Sequence, residues 1–329
     1  MGIIIQKFGG TSFRDINKQD NILSHIKRCI KKGNYPVIVV SAIGRKNEPY
    51  ATDTLIEQLE KISLEIDPKK KDLIMSCGET ISATLISHLL DSEDIPSEAL
   101  MGIQAGIVTD DNFNSSNIID IDTSTILNFI EQGKIPVVAG FQGATKNMEI
   151  TTLGRGGSDI TAVTLGGYLN ADRVDIFTDV PGVAIIDPHI ISSPKYIESI
   201  SYDDMYNLAS SGVNVIHPKA VKIGKKFNIP INIRSTYLDT PGTIISNLNQ
   251  QNSDKIIGIA LDMRSNPNII SVFLNEYCDD RSKQEFEDYI LQHDKIFLKL
   301  IWNKNKVSIL VNPDKSTYCG ELIYRYFFP

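Results

Sequence analysis

Ile3–Phe8 is a short apolar run that stops at the glycine pair Gly9-Gly10, the pattern of a buried strand meeting a tight turn. A helix is predicted from about Asp15 to Lys32, because Ile22, Leu23, Ile26, Cys29 and Ile30 recur at helical spacing and Gly33 follows. Pro36 then introduces Val37-Ile38-Val39-Val40, a second run rich in β-branched residues, which closes on Ser41-Ala42-Ile43-Gly44. Strand, turn, helix and strand make a crossover unit, and such units build a parallel sheet covered by helices. The expected class is therefore α/β, a mostly parallel sheet sandwiched between helices.

The alternation continues. Helices are predicted at about Thr54–Leu64, Lys70–Leu90 and Thr123–Glu131, with strands near Ala99–Val108 and Ile135–Phe141. A polar, glycine-rich loop, Thr151–Asp159, opens a helix that runs through Leu169. Strands follow at Val174–Thr178 and Val183–Ile186, then helices at about Tyr202–Ser210 and Lys219–Lys226, then a strand at Pro230–Arg234. The polar run around 247–255 is read as a linker between a first domain, 1–246, and a second, 256–329. The second domain reads as strand (Ile256–Leu261), strand (Ile269–Leu274), helix (Ser282–His293), strand (Ile296–Trp302), strand (Lys306–Val311) and a short apolar end, a small α+β module of ferredoxin-like character.

Composition narrows the partners. The chain of 329 residues carries a formal net charge of -7, which gives no general attraction for nucleic acid or an anionic membrane. The lysine runs Lys31-Lys32, Lys69–Lys71 and Lys225-Lys226 sit among acids and read as solvated helix faces. Cys29, Cys77, Cys278 and Cys319 form no CxxC pair, so reduced thiols in a cytoplasm are expected, and no metal ligand set is read. No apolar run is expected to approach the length of a membrane span, and the first residues lack a secretory leader.

In an open parallel sheet, ligands bind beyond the carboxyl ends of the strands. Four segments are placed there: Lys7–Ser12, Ser41–Gly44, Thr152–Asp159 and Phe177–Gly182. Adjacent glycines let backbone N–H groups approach an anion, and a following helix adds the positive end of its dipole. Lys7, beside Gly9-Gly10, can set a compact positive charge on phosphate oxygens. The chain holds no GxxxxGK[ST] run, and Gly154-x-Gly156 lacks the final glycine of a dinucleotide fingerprint. Protein-kinase signatures are also missing.

Taken together, these segments resemble those of the aspartokinases of the amino-acid-kinase superfamily. The likeness is carried by Lys7–Ser12, Ser41–Gly44, Ser76-Cys77-Gly78-Glu79-Thr80-Ile81-Ser82, Gly140-Phe141-Gln142-Gly143, Thr152–Asp159, Phe177–Val183 and Arg234-Ser235-Thr236, in unbroken order over about residues 1–245. Pro49–Asp53 is similar to the diaminopimelate-responsive subclass. The resemblance implies the amino-acid-kinase fold followed by an ACT-like module, and ATP-dependent phosphorylation of the L-aspartate side chain, with Mg²⁺ bridging the phosphates. It implies Lys7 at the transferring phosphoryl group and Asp159 organising the reaction. Thr52, Glu79, Arg155, Gly156 and Ser158 are the implied substrate contacts, with Arg155 on the α-carboxylate and Glu79 near the ammonium. Gly9, Gly10, Ser41, Thr178, Asp179 and Lys219 are the implied nucleotide contacts. Homodimerisation is expected.

Two departures stand out. The family's Asp-Pro-Arg is here Asp187-Pro188-His189, so weaker ATP binding is expected. Residues 256–329 leave room for one effector module where the family has two, which predicts a trimmed enzyme free of inhibition by lysine, threonine or diaminopimelate. Two other readings stay open: a kinase of glutamate or acetylglutamate, and a degenerate regulatory subunit.

Overall fold

The first strand, β1 (Ile3–Phe8), is followed by α1 (Ile16–Lys31) and a parallel partner, β2 (Tyr35–Val40), the crossover that the sequence predicts. The computed structural model of the chain describes residues 2–10, 16–247, 255–275, 278–293 and 297–329. Two compact units emerge, one of residues 1–181 and 219–242, the other of 182–218 and 243–329. Most of the polar run read as a linker, residues 248–254, lies outside the described residues, as do Thr11 and Ser12 of the first glycine turn.

In the first unit β2 leads into α2 (Thr52–Glu60) and α3 (Pro68–Asp91). Asp67 caps α3 by accepting the N–H groups of Lys69 and Lys70, with Pro68 at its first position. Then come β3 (Ser97–Leu100), β4 (Ile107–Thr109), β5 (Ile118–Ile121), α4 (Ser124–Glu131), β6 (Ile135–Ala139), β7 (Gln142–Ala144), β8 (Ile150–Thr152), α5 (Gly157–Tyr168) and β9 (Arg173–Thr178). After β10 (Ser199–Ser201) and α6 (Tyr202–Ser210) of the other unit, α7 (Pro218–Phe227) and β11 (Ile231–Ser235) complete the first. Its main sheet runs β11-β9-β1-β2-β6-β3, every pairing parallel. β1 is thus central, and the loops after β1, β2 and β9 leave from one edge. Phe8, Ile22, Ile26, Ile38, Ala83, Ile86, Leu90, Val137 and Phe177 fill the core on one face, with Phe8 and Phe177 stacked at 4.7 Å.

Three expectations need correction here. The strand read across Ala99–Val108 is two strands, β3 and β4, separated by a hydrogen-bonded turn over residues 101–106. β4 belongs to a second sheet, β5-β4-β7-β8, whose short strands carry too little periodicity to be read. Finally, α3 is 24 residues long and apolar enough by length and composition to cross a membrane, a match not read from the sequence. Its buried residues include Asp72 and Glu79, and it packs on β3, β6 and β8 as a core helix does.

In the second unit β10 pairs in parallel with β12 (Thr243–Ser246). β13 (Ile256–Asp262), β14 (Asn268–Leu274), α8 (Asp280–Leu291), β15 (Phe297–Asn303), β16 (Lys306–Val311) and α9 (Ser316–Phe327) follow, with an antiparallel sheet ordered β13-β14-β16-β15. The apolar end read from the sequence is the helix α9, whose Cys319 and Ile323 face inward at a four-residue step. The run Val183–Ile186 is not a strand. Val183, Ile185 and Ile186 are buried, but only Ala184 forms a bridge, to Tyr196, and the Ile185 carbonyl accepts from Ile259 instead.

Candidate active site

Lys7 lies one residue from the end of the central strand, and its Nζ stands 2.8 Å from Asp159 Oδ1, both side chains 13% exposed. Asp159 is in the first turn of α5, where the helix dipole favours an acid. Because α5 packs over β1 and β9, the ion pair bridges sheet and helix at the edge where loops converge.

Arg155 projects from the turn that starts α5. Gly154 and Gly156 flank it with φ of 72° and 70°, a left-handed conformation that costs a glycine little and other residues more. Phe141 shares this backbone region at φ 69°, a costly state for an aromatic residue. Its N–H donates to Thr161 Oγ1 at 3.0 Å, and its carbonyl accepts from Leu153 at 2.9 Å.

Glu79 reaches the same place from α3. The side chain is 3% exposed, Oε1 accepts the Ala42 N–H at 3.0 Å, and Oε2 is buried without a hydrogen-bond partner. Burial pushes the carboxyl up to about 8, against the opposing pull of the Ala42 N–H and the Lys7 ammonium.

These groups line a cavity of about 560 Å³. Of the residues predicted from the sequence, Lys7, Ser41, Thr52, Glu79, Arg155, Gly156, Ser158 and Asp159 form its wall. The others lie outside that wall. Gly9 and Gly10 continue β1, and a Cβ on Gly10 would stand 2.0 Å from the Ala42 carbonyl oxygen, so the loops after β1 and β2 touch through backbone. Thr178 ends β9, where its carbonyl accepts the Thr236 N–H at 2.8 Å and its hydroxyl donates to Asp179 at 3.2 Å. Asp179 in turn lies 3.8 Å from Arg45. Lys219, in the first turn of α7, donates to Asn117 Oδ1 at 2.7 Å. His189 is exposed in the other unit, its N–H on Asp187.

The sequence reading missed Asp53, Lys71, Met75, Asn114 and Phe141, all on the cavity wall. Lys71 overturns the reading of the Lys69–Lys71 triplet as a solvated face. The signal was present: Lys71, Met75 and Glu79 recur at four-residue steps along one helix face.

The profile of the amino acid kinase family matches residues 2–235. The aspartokinase of Rickettsia conorii is 34% identical over 315 residues, 95% of this chain and 77% of its own length. The chain belongs to the aspartokinases of the amino acid kinase family. Aspartokinase 1 of Bacillus subtilis is 43% identical over 246 residues, and this member of the family spans 61% of its length. Among solved structures, aspartate kinase from Synechocystis superposes with a TM-score of 0.65 at 31% identity, covering 97% of this aspartokinase-family chain and 54% of that one.

Proposed function

We propose that the chain transfers the γ-phosphoryl group of ATP to the side-chain carboxylate of L-aspartate. One observation carries the reading: a strand-end ammonium, a loop guanidinium and a buried carboxyl with an orphaned oxygen converge on one cavity. An α-amino diacid offers each a partner. Its α-carboxylate suits the bidentate fork of Arg155, its ammonium suits Glu79, and its second carboxylate is left to face the phosphoryl group at Lys7. Relatives that bear the name aspartokinase at 43% and 41% identity support the same substrate.

The chemistry asks little of proton transfer. The nucleophile is a carboxylate, ionised at neutral pH, so no general base is required. A carboxylate oxygen attacks the γ-phosphorus, the bond to the β-phosphate bridging oxygen breaks, and ADP departs with the electron pair. Two anions must meet, so positioning and positive charge supply the catalysis. Asp159 holds the Lys7 ammonium in place for this task, while Thr52, Gly156 and Ser158 shape the substrate pocket. Gly9, Gly10 and Ser41 are assigned to the phosphate path, and Thr178, Asp179 and Lys219 to the rest of the nucleotide. Mg²⁺ would neutralise phosphate charge. Such an ion would be held mainly by the phosphates and water.

The four cysteines are free, in keeping with a cytoplasmic setting. The product, 4-phospho-L-aspartate, would feed amino-acid biosynthesis. Exposed Leu298 and Ile301 on edge strand β15 favour the expected homodimer. An assay with ATP, Mg²⁺ and hydroxylamine tests the central reading by trapping the acyl phosphate as a hydroxamate. Hydroxamate is expected with aspartate and not with glutamate or acetylglutamate. Equal turnover of glutamate, or a folded chain that turns over none of them, would overturn the assignment.

A further inference from the structure

Lys71 breaks the charge rule for its position. It stands in the first turn of α3, where the helix dipole favours acids, and that turn holds none beyond the capping Asp67, whose carboxylate is engaged by the Lys69 and Lys70 N–H groups. Its neighbours are accounted for: Lys69 pairs with Glu149 and lies 5.4 Å from the Phe113 ring centroid, and Lys70 is exposed. Lys71 is half-buried on the cavity wall, and among the described residues it pairs with no carboxylate. A half-buried ammonium near a helix N-terminus, with no ion-pair partner among the described residues and facing a cavity, is the kind of local inconsistency that marks a ligand contact.

The fold also fixes which part of the cavity Lys71 serves. Lys71, Met75 and Glu79 share one helix face, and burial deepens from half-buried Lys71 to Met75 at 6% and Glu79 at 3% exposure. Lys71 therefore sits at the outer end, about 12 Å along the axis from the deep carboxyl. The next residue, Asp72, is fully buried. Its carboxylate accepts the Asn114 N–H at 2.9 Å, the Thr152 N–H at 3.0 Å and the Thr152 hydroxyl at 2.6 Å. Thr152 ends β8 and runs through Leu153 and Gly154 into Arg155, while the Asn114 carbonyl lies 3.3 Å from the place of a Cβ on Gly154. Asp72 thus ties the first turn of α3 to the arginine loop and sets Lys71 and Arg155 on one wall. Arg155 likewise pairs with no carboxylate among the described residues. Asn114 Oδ1 is buried on that wall without a partner, a further sign that the wall is completed by a ligand.

We infer that Lys71 is a second substrate-binding cation, which shares the substrate α-carboxylate with Arg155. The inference rests on the reading of the substrate given above. Arg155 supplies the directional fork, and Lys71 adds a point charge that the planar group cannot place on the second lone pairs. Asparagine-like replacement of the distal carboxylate should leave this contact intact, whereas loss of the α-carboxylate should remove it.

The test is steady-state kinetics of the whole chain as Lys71→Met and Lys71→Arg, with aspartate and with its α-amide as substrates. Lys71→Met should raise the aspartate KM about tenfold, the worth of one charge-assisted hydrogen bond, with the ATP KM and kcat near the parent's. Lys71→Arg should recover most of the loss. The parent's preference for aspartate over the α-amide should shrink in Lys71→Met by the same factor, a change that a merely structural lysine would not produce. An unchanged aspartate KM, a rise confined to ATP, or an equal loss on the α-amide would overturn the inference. A parent chain with no aspartate turnover would overturn the substrate reading itself, and Lys71 with it.

Discussion

Glu79 joins the middle of α3 to the loop after β2: its Oε1 accepts the Ala42 N–H at 3.0 Å, and Oε2 is buried with no partner. The neutral acid tolerates that site better than the carboxylate does, which raises its pKa from 4.5 to about 8. A group that holds its proton more tightly in the folded chain contributes stability below its unfolded pKa and loses it as pH rises toward the folded value. The ligand-free protein should therefore lose stability between about 4.5 and 8 through this residue. Glu79→Gln keeps the neutral shape and should flatten that part of the melting-temperature profile. Parallel profiles for the two proteins would refute the assignment.

The same proton bears on the substrate. An ammonium pairs with a carboxylate and not with a carboxylic acid, so aspartate binding should strengthen as pH rises toward about 8. Calorimetry in buffers of different ionisation enthalpy should detect proton release on binding near neutral pH. Glu79→Gln should abolish the release and weaken binding about tenfold or more, the worth of a charge-assisted contact.

Lys7→Met should lower kcat by about 10²–10³, as removal of an electrostatic stabiliser does, and should lower the melting temperature as well, because it leaves the largely buried Asp159 carboxylate without its partner. Asp159→Asn should cost less, because it loosens the 2.8 Å ion pair without removing the ammonium. Near-normal turnover of folded Lys7→Met would contradict its place at the phosphoryl group.

Asp72→Ala removes the acceptor for two backbone N–H groups and a hydroxyl in a fully buried site. Urea denaturation should show a loss of about 3 kcal/mol. A loss under about 0.5 kcal/mol would mean that solvent takes over those donors, against the burial described.

Gly10→Ala places a methyl group 2.0 Å from the Ala42 carbonyl oxygen, so the loops after β1 and β2 must part. About 2 kcal/mol of stability should be lost, and the ATP KM should rise because Ser41 moves with its loop. Unchanged melting and kinetics would show that the loops separate without cost.

The α/β class and most of its helices are legible because buried side chains repeat with the period of the element that carries them. α6 is a clear case, read as Tyr202–Ser210 and found there, with Ser201 as its cap. β7 and β8 are not legible, since strands of three residues exist through their pairing and not through their own pattern. α9 is hidden because its aromatic side chains suggest packing without saying what backbone presents them. At the site, Lys7 is legible as a strand-end cation beside glycines, whereas Glu79 and Arg155 are singled out by the family resemblance alone; all three line one cavity. Lys71 is masked by its triplet, which normally faces water; its four-residue step to Met75 and Glu79 is the signal, and the pinning of Asp72 turns that face inward.

The two units interleave along the chain, and this limits how it can be cut. Residues 182–218 pack with residues beyond 243: the Ile259 N–H donates to the Ile185 carbonyl at 2.6 Å, Leu208 lies 3.0 Å from the place of a Cβ on Gly258, and the Lys195 N–H donates to the Tyr324 hydroxyl at 3.0 Å. A gene fragment stopped at the polar run would expose Ile185, Ile186 and Leu208 to water, an apolar strip in the middle of the product. Such a fragment should collect in inclusion bodies however sound its other half, and a soluble minimal chain would have to be carved by excising the middle segment and the tail together.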